Sequence, residues 1–405
     1  ALPILRMGYG LTDRGDNERF NYSALLGSNF GQGRGNVTIA LDADDSQGVR
    51  STARKFLRQA YAFAPNPSAR AIAAFQPGRT PGNDGRVNPH IGFDTGPHDG
   101  IPGSVLIRNF RLSDMTWGGL LFPADGDTVR DGSGQLRGFG EDADQFVQFD
   151  RSGNLVRYNP GTNFGISEAS GGDGMDLVET SQIISDLKRK SVFALGNYDF
   201  SEHLSGFFEA SFYTSAAREL VDENTYNAAS FGVGNVDGSG DQDGTLNFNI
   251  NNPFLTEQNR QVLRTLGVED FVLSRSSRDL AGNNSGADTN LWRGVFGLQG
   301  DFDAAGRNFK WEASVDHGEG NFDYYRTGLI QQNFINAINV TRNGTGQIVC
   351  DNTAAGTTVD PACVPLNLFG EGVASQAARR YVTTPTHAQA QMKQTVFNAN
   401  ITGAL

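Results

Sequence analysis

Connection length alternates along this chain. Segments in which apolar and polar residues take turns lie at 5–12, 19–30, 35–44, 190–200, 204–219, 290–302, 308–326 and 389–402. The connections at 31–34, 201–203 and 303–307 are tight, whereas those at 45–189, 220–289 and 327–388 are very long. The first hairpin, through Asp13 to Glu18, is the one short connection on the long side. In a meander, alternate connections fall at opposite ends, so every long one lies at the same end. A soluble sandwich has no reason to sort its loops this way. An outer-membrane barrel does, because its periplasmic turns are short and its extracellular loops long. The expectation is an all-β fold: an antiparallel up-and-down transmembrane β-barrel, of which these strands form a part.

Composition leaves this open and closes other routes. The chain has 405 residues, 38% of them hydrophobic, with a formal net charge of −12. No apolar run approaches the ~18 residues of a transmembrane helix. Barrel strands are apolar only at every second position and keep their mean hydropathy low. The acidic balance argues against a nucleic-acid partner, which selects for a basic surface. Residues 1–4 show no charged region, apolar stretch or cleavage site of a signal peptide and are set aside as an assembly scar. Alternation begins at once at Leu5, and Gly403-Ala404-Leu405 resembles the approach to another turn, so residues 5–405 read as a partial barrel domain.

The faces can be followed position by position. Leu5, Met7, Tyr9 and Leu11 share one face, as do Val37, Ile39 and Leu41, then Phe208, Ala210 and Phe212, and then Trp292, Phe296, Leu298 and Phe302. Phe309, Trp311, Ala313 and Val315 continue the series, with Phe397, Ala399 and Ile401 in the last strand. Leu25, Phe193 and Leu195 fall on the other side and break the pattern. Half-buried strands of any antiparallel sheet alternate too. Two details favour lipid. Full charges stand on the polar face (Glu209, Arg293, Lys310, Glu312, Asp316), as a wet lumen would have them. Aromatics gather at the short-turn end (Phe30, Tyr198, Phe200, Phe302, Phe309, Trp311), where an interfacial girdle belongs.

The long loops hold the candidate sites. Strand-like patches stand at 104–112 and 145–158, and residues 252–266 space Leu255, Val262, Leu263 and Leu266 helically behind a cap at Asn252 or Thr256. Cys350 and Cys363 are the only cysteines. Pairing them would stabilise their loop by roughly 3 kcal/mol and fits an oxidising compartment; the alternative is two unrelated thiols. Asp237, Ser239, Asp241 and Asp243 place oxygens at alternate positions, as calcium loops do. The positions where such a loop wants Gly and Glu hold Gln242 and Phe248, so a solvated acidic turn competes. Gly171-Gly172-Asp173-Gly174 occurs once, where calcium solenoids repeat it. Asp94-Thr95-Gly96 has no second such triplet to share a proton with. The five histidines form no HExxH pair. Nothing points to catalysis or a cofactor, and the chain is read as a non-enzyme.

Several stretches resemble the TonB-dependent outer-membrane receptors of Gram-negative bacteria. "YGLTDRGDNERFNYSALLGSNFGQGRGNVTIALD" is similar to their first barrel hairpins, "ALGNYDFSEHLSGFFEASF" to a periplasmic hairpin, and "NPFLTEQNRQVL" and "CVPLNLFGEG" to extracellular-loop segments. The resemblance covers most of the chain from about Arg6 and rests on the order of these segments. It implies a barrel of about 22 strands with an N-terminal plug and a TonB-contacting box, neither of which lies in this sequence. It also implies energised uptake of a scarce nutrient through the outer membrane, with lipid, the ligand and the TonB complex as partners. Ligand contacts would come from the long loops, with Trp117, Phe139, Tyr226 and Phe231 as stacking candidates.

Competing readings are a passive porin-like channel, a secreted calcium-binding β adhesin or lectin, and a surface hydrolase. A plug would argue against the first, independence from detergent would favour the second, and the third lacks its catalytic groups. Iron chelates, cobalamin, oligosaccharides and peptides all suit such a receptor.

Overall fold

The structure, a computed structural model, describes residues 3–65, 104–124, 138–140, 144–164, 167–220, 225–226, 237, 246–282 and 284–403. Its largest element is an eight-stranded antiparallel sheet whose order follows the chain: β1 (Ile4–Gly10), β2 (Arg19–Phe30), β3 (Gly35–Ser46), β4 (Asp186–Ser201), β5 (Leu204–Leu220), β6 (Asn284–Ala304), β7 (Arg307–Leu329) and β8 (Thr383–Gly403). These are the expected strands, in meander order. Several run further than alternation alone marked, because cross-strand hydrogen bonding continues where the face pattern fades: β4 begins at Asp186 and β6 at Asn284. Residues 1–4 need one correction, since Ile4 already pairs with Leu25. Among the described residues β1 and β8 do not pair with each other, so the sheet is open and has two edges.

The tight turns lie together. Asp199 N–H donates to the Arg34 carbonyl at 2.8 Å, and Asp301 N–H to the His203 carbonyl at 3.2 Å, linking the three short connections side by side. The β6–β7 turn closes over Ala305 and Gly306, with φ of 54° and 74°. Two consecutive positive φ values make the type I′ turn, whose twist matches that of the flanking strands. Phe30 stacks on Tyr198 at 5.8 Å, Tyr198 meets Phe200 edge-on at 5.2 Å, and Phe302 stacks on Phe309 at 5.5 Å. The expected aromatic cluster at this end is therefore a set of ring contacts.

Register aligns the apolar positions into rows. Leu41, Val192, Phe212 and Trp292 are successive direct partners across β3 to β6. Gly196, Phe208, Phe296, Val315 and Phe397 are successive partners across β4 to β8. The residues that broke alternation are themselves neighbours: Leu25 pairs with Ala40, and Ala40 with Phe193, on the opposite face. Among the described residues nothing covers the apolar rows. Met7 is 80% exposed, Phe397 79% and Phe296 57%.

The principal buried core lies in the long connections instead. Its members include Leu121, Phe149 and Leu155 from the first, Leu246, Leu263 and Phe271 from the second, and Phe334, Leu366 and Phe369 from the third. The three loops thus build one packed cap. Its central strand, Asp270–Ser276, pairs with Leu120–Pro123 of the first loop and Leu246–Asn249 of its own. Helix α1 (Glu257–Thr265) is capped by Thr256, whose Oγ accepts from Asn259 N–H at 3.2 Å. Asn252 caps the preceding turn, accepting from Phe254 N–H at 3.0 Å. Helices α2 (Gln331–Ile338) and α3 (Gln376–Val382) root the third loop where β7 ends and β8 begins. There Ile330 N–H donates to the Val382 carbonyl at 2.8 Å.

Candidate functional site

The cap and the polar face are where chemistry can be built. The centre of the cap is Phe369, which touches Phe149 of the first loop at 5.0 Å and Phe248 of the second at 5.1 Å. Its neighbour Gly370 has a φ of 126°, which side-chain-bearing residues rarely adopt, and its N–H bonds the Gly118 carbonyl at 3.1 Å. Arg275 is fully buried beside it. Its guanidinium donates to Asp279 Oδ2 at 2.7 Å, to the Gly370 carbonyl at 2.8 Å and to Ser277 Oγ at 2.9 Å. Asp279 Oδ2 accepts in addition from Gly372 N–H at 2.7 Å. One step along, Arg278 reaches Glu371 of the third loop and Glu179 of the first, both at 2.7 Å. These contacts hold the three loops at one junction.

The two stretches that resembled extracellular-loop segments both turn out to stitch this cap. In the first, Leu255 and Leu263 enter the core, while buried Asn259 accepts from Leu155 N–H and donates to the Gly153 carbonyl, each at 2.9 Å. In the second, Leu366, Leu368 and Phe369 enter the core from the other side.

The candidate ligand aromatics have separate positions. Trp117 lies beneath the Arg278 guanidinium, 3.9 Å from its ring centroid, so one face of the indole is engaged by the junction. Phe139 is only 4% exposed within the common core. Its ring is spent on packing, which corrects the expectation of a stacking surface there. Tyr226 pairs in register with Arg275 at the edge of the cap sheet. Phe231 lies outside the described residues, as do Ser239, Asp241 and Asp243. Asp237 is buried, and its Oδ2 accepts from both the backbone and side-chain amides of Asn247, at 2.7 and 3.0 Å. Among the described residues no cluster of His, Cys, Asp and Glu is placed to hold a metal ion.

Cys350 and Cys363 form a disulfide with Cα atoms 6.3 Å apart. The bond braces strand Ile348–Cys350 against the connection that follows. On the polar face of the sheet, Arg293 donates to Asp316 at 2.8–3.1 Å and to Glu209 at 3.2 Å, so three of the charges singled out in the sequence form one network.

Sequence reasoning missed the Arg275–Asp279 pair. It had no signal to offer, because the charges belong to a short loop segment and only the meeting of three distant connections buries them. No protein-family model matches the chain, and no curated protein matches it.

Proposed function

We propose that this chain is the membrane-spanning arc and outer cap of an energised nutrient receptor of the outer membrane, of the TonB-dependent type. One observation carries the reading: the burial of the molecule is inverted. Its longest strands leave a broad apolar face that none of the described residues covers, while the connections between them bury a core. Each Phe, Leu or Met left in water forfeits about 1.5–3 kcal/mol, and summed over this face the loss exceeds the roughly 5–15 kcal/mol that holds a domain folded. Lipid removes the loss. A soluble adhesin or lectin would need a second layer over these rows, and among the described residues there is none.

The dimensions agree. On β6 the apolar face runs from Trp292 to Phe302. Those ten steps at about 3.4 Å each, tilted by about 45°, span about 24 Å, close to the ~25 Å band of outer-membrane barrels. Toward the cap the same face turns polar: on β4 to β6 one row beyond Trp292, through Lys190, Thr214 and Asn290, and on β7 and β8 already in the Trp292 row, where Glu319 pairs with Lys393. The open sheet fits an arc of a wider barrel, since the parent would supply further strands for both edges. In that parent, a plug would occupy the charged lumen, and TonB acting on the plug would admit the ligand gathered by the cap.

The three tryptophans test the membrane assignment: Trp292 and Trp311 lie on the apolar face, Trp117 in the cap. With acyl-brominated phospholipid, the Trp117→Phe variant should be strongly quenched and the Trp292→Phe/Trp311→Phe variant hardly at all. Equal quenching of the two, or a chain monomeric in buffer without detergent, would refute the membrane reading. Energy coupling is separable: uptake through the full-length parent should stop when a protonophore is added, whereas a passive channel would continue.

A further inference from the structure

A groove of about 700 Å³ runs between the second and third long loops, and it belongs to neither the loop junction nor the charged network of the sheet. That volume lies within the range of small-molecule sites. Its walls are rich in neutral amides, Asn247, Asn249, Asn251, Asn252 and Asn339 among them, with Thr341 opposite and Phe248 between.

Asparagines are common in turns, and two of these serve one. Asn249 Oδ1 accepts from Asn251 N–H at 2.9 Å, and Asn252 Oδ1 from Phe254 N–H at 3.0 Å. That duty uses acceptor oxygens and fixes the side chains in place. Among the described residues it leaves the Asn252 amide nitrogen available, and the side chains of Asn251 and Thr341 have no hydrogen-bond partner. The opposite wall is equally fixed. Strand Val340–Arg342 pairs with Ile348–Cys350, which the disulfide to Cys363 secures. Arg342 then reaches across to the Pro253 carbonyl at 3.3 Å. A site held this way loses little freedom on binding.

The charge balance narrows the ligand. Among the described residues, Asp270 and Arg342 are the two charged side chains of the lining, one of each sign. Asp270 is engaged by Asn249 at 2.7 Å, and Arg342 by the Gly346 carbonyl at 2.7 Å. An anionic iron chelate would call for surplus cations, and a basic peptide for surplus carboxylates. Amides offer a donor and an acceptor side by side, which matches vicinal hydroxyls, and Phe248 offers an apolar wall to the face of a sugar ring.

We infer that this amide-lined groove binds a neutral oligosaccharide, which rests on the receptor reading and would make saccharide the class of solute taken up. The test is calorimetric titration of the purified chain in an amine-oxide detergent, so that no glucoside headgroup competes. Maltohexaose, cellohexaose, xylohexaose and mannohexaose are the probes, with trialanine and ferric citrate as controls. At least one hexasaccharide should bind saturably. The Asn251→Ala/Thr341→Val variant should bind it about tenfold more weakly, as expected for two lost hydrogen bonds, and Gln391→Ala on the sheet should bind it unchanged. The inference is overturned if no hexasaccharide binds, if the double variant binds as well as the parent, or if only trialanine or ferric citrate binds. Lipid quenching keeps the two proposals apart. A chain that inserts but binds no saccharide loses the ligand class alone; one that binds saccharide without inserting keeps the groove's ligand and loses the membrane reading together with the uptake drawn from it.

Discussion

Asp16, in the turn between β1 and β2, shows how one residue ties a short connection to a long one. Thr12 Oγ donates to its carboxylate at 2.5 Å, and the Arg54 guanidinium engages both oxygens from the first long loop. The Arg54 hydrogen bonds, then that of Thr12, lower the Asp16 pKa to about 2. A depressed carboxylate stabilises the fold above its ordinary pKa, and the contribution disappears only as pH falls through the folded value. The anchor should therefore be intact from neutrality to about pH 4 and fail near pH 2. Carbon-13 titration of the Asp16 carboxyl should give a midpoint near 2, and a midpoint near the ordinary 3.8 would show that Arg54 does not hold it in solution.

At the scale of elements, the short turns were legible and the cap was not. Alternation marked every strand of the sheet, because side chains on a strand must face opposite sides with period two. The turn at Ala305-Gly306 carries a residual strain that substitution can relieve. Ala305 has a φ of 54°, where a side chain crowds the following carbonyl and asparagine is tolerated better. Ala305→Asn should stabilise the β6–β7 hairpin by about 1 kcal/mol, read as a higher urea midpoint in micelles with unchanged slope. A lower midpoint would mean that Ala305 does not occupy this turn. The α1 segment lay close to its expected place. Its hydrophobic spacing predicted a helix within 252–266, and Thr256, not Asn252, became the cap.

For the whole molecule, the cap is the unit that joins what the chain separates. Arg275 illustrates the energetics: removing one partner of a buried ion pair leaves the other uncompensated. Arg275→Ala should cost about 3–5 kcal/mol of cap stability. Trp117 reports it, because its ring lies under Arg278 in the same junction. Urea unfolding followed by Trp117 fluorescence in the Trp292→Phe/Trp311→Phe background should show the transition moving to much lower urea. If it does not move, the three loops are not held there, and the groove between two of them loses its support.

From the residues alone came the strand set, the meander, the sorting of turns by length, the shared polar face of Glu209, Arg293 and Asp316, and the pairing of Cys350 with Cys363. Each depends on local periodicity, on short-range chain geometry or, for the cysteines, on an even count that favoured pairing and that the folded chain decided. Tertiary structure alone decided that the long connections pack into one cap, that Phe139 is core while Trp117 lies under a guanidinium, and that amides from two loops line one groove. Those outcomes depend on contacts between segments far apart in the chain, whose partners no local pattern specifies. The inverted burial needed both, since alternation marked the apolar face and only the folded chain showed that none of the described residues covers it.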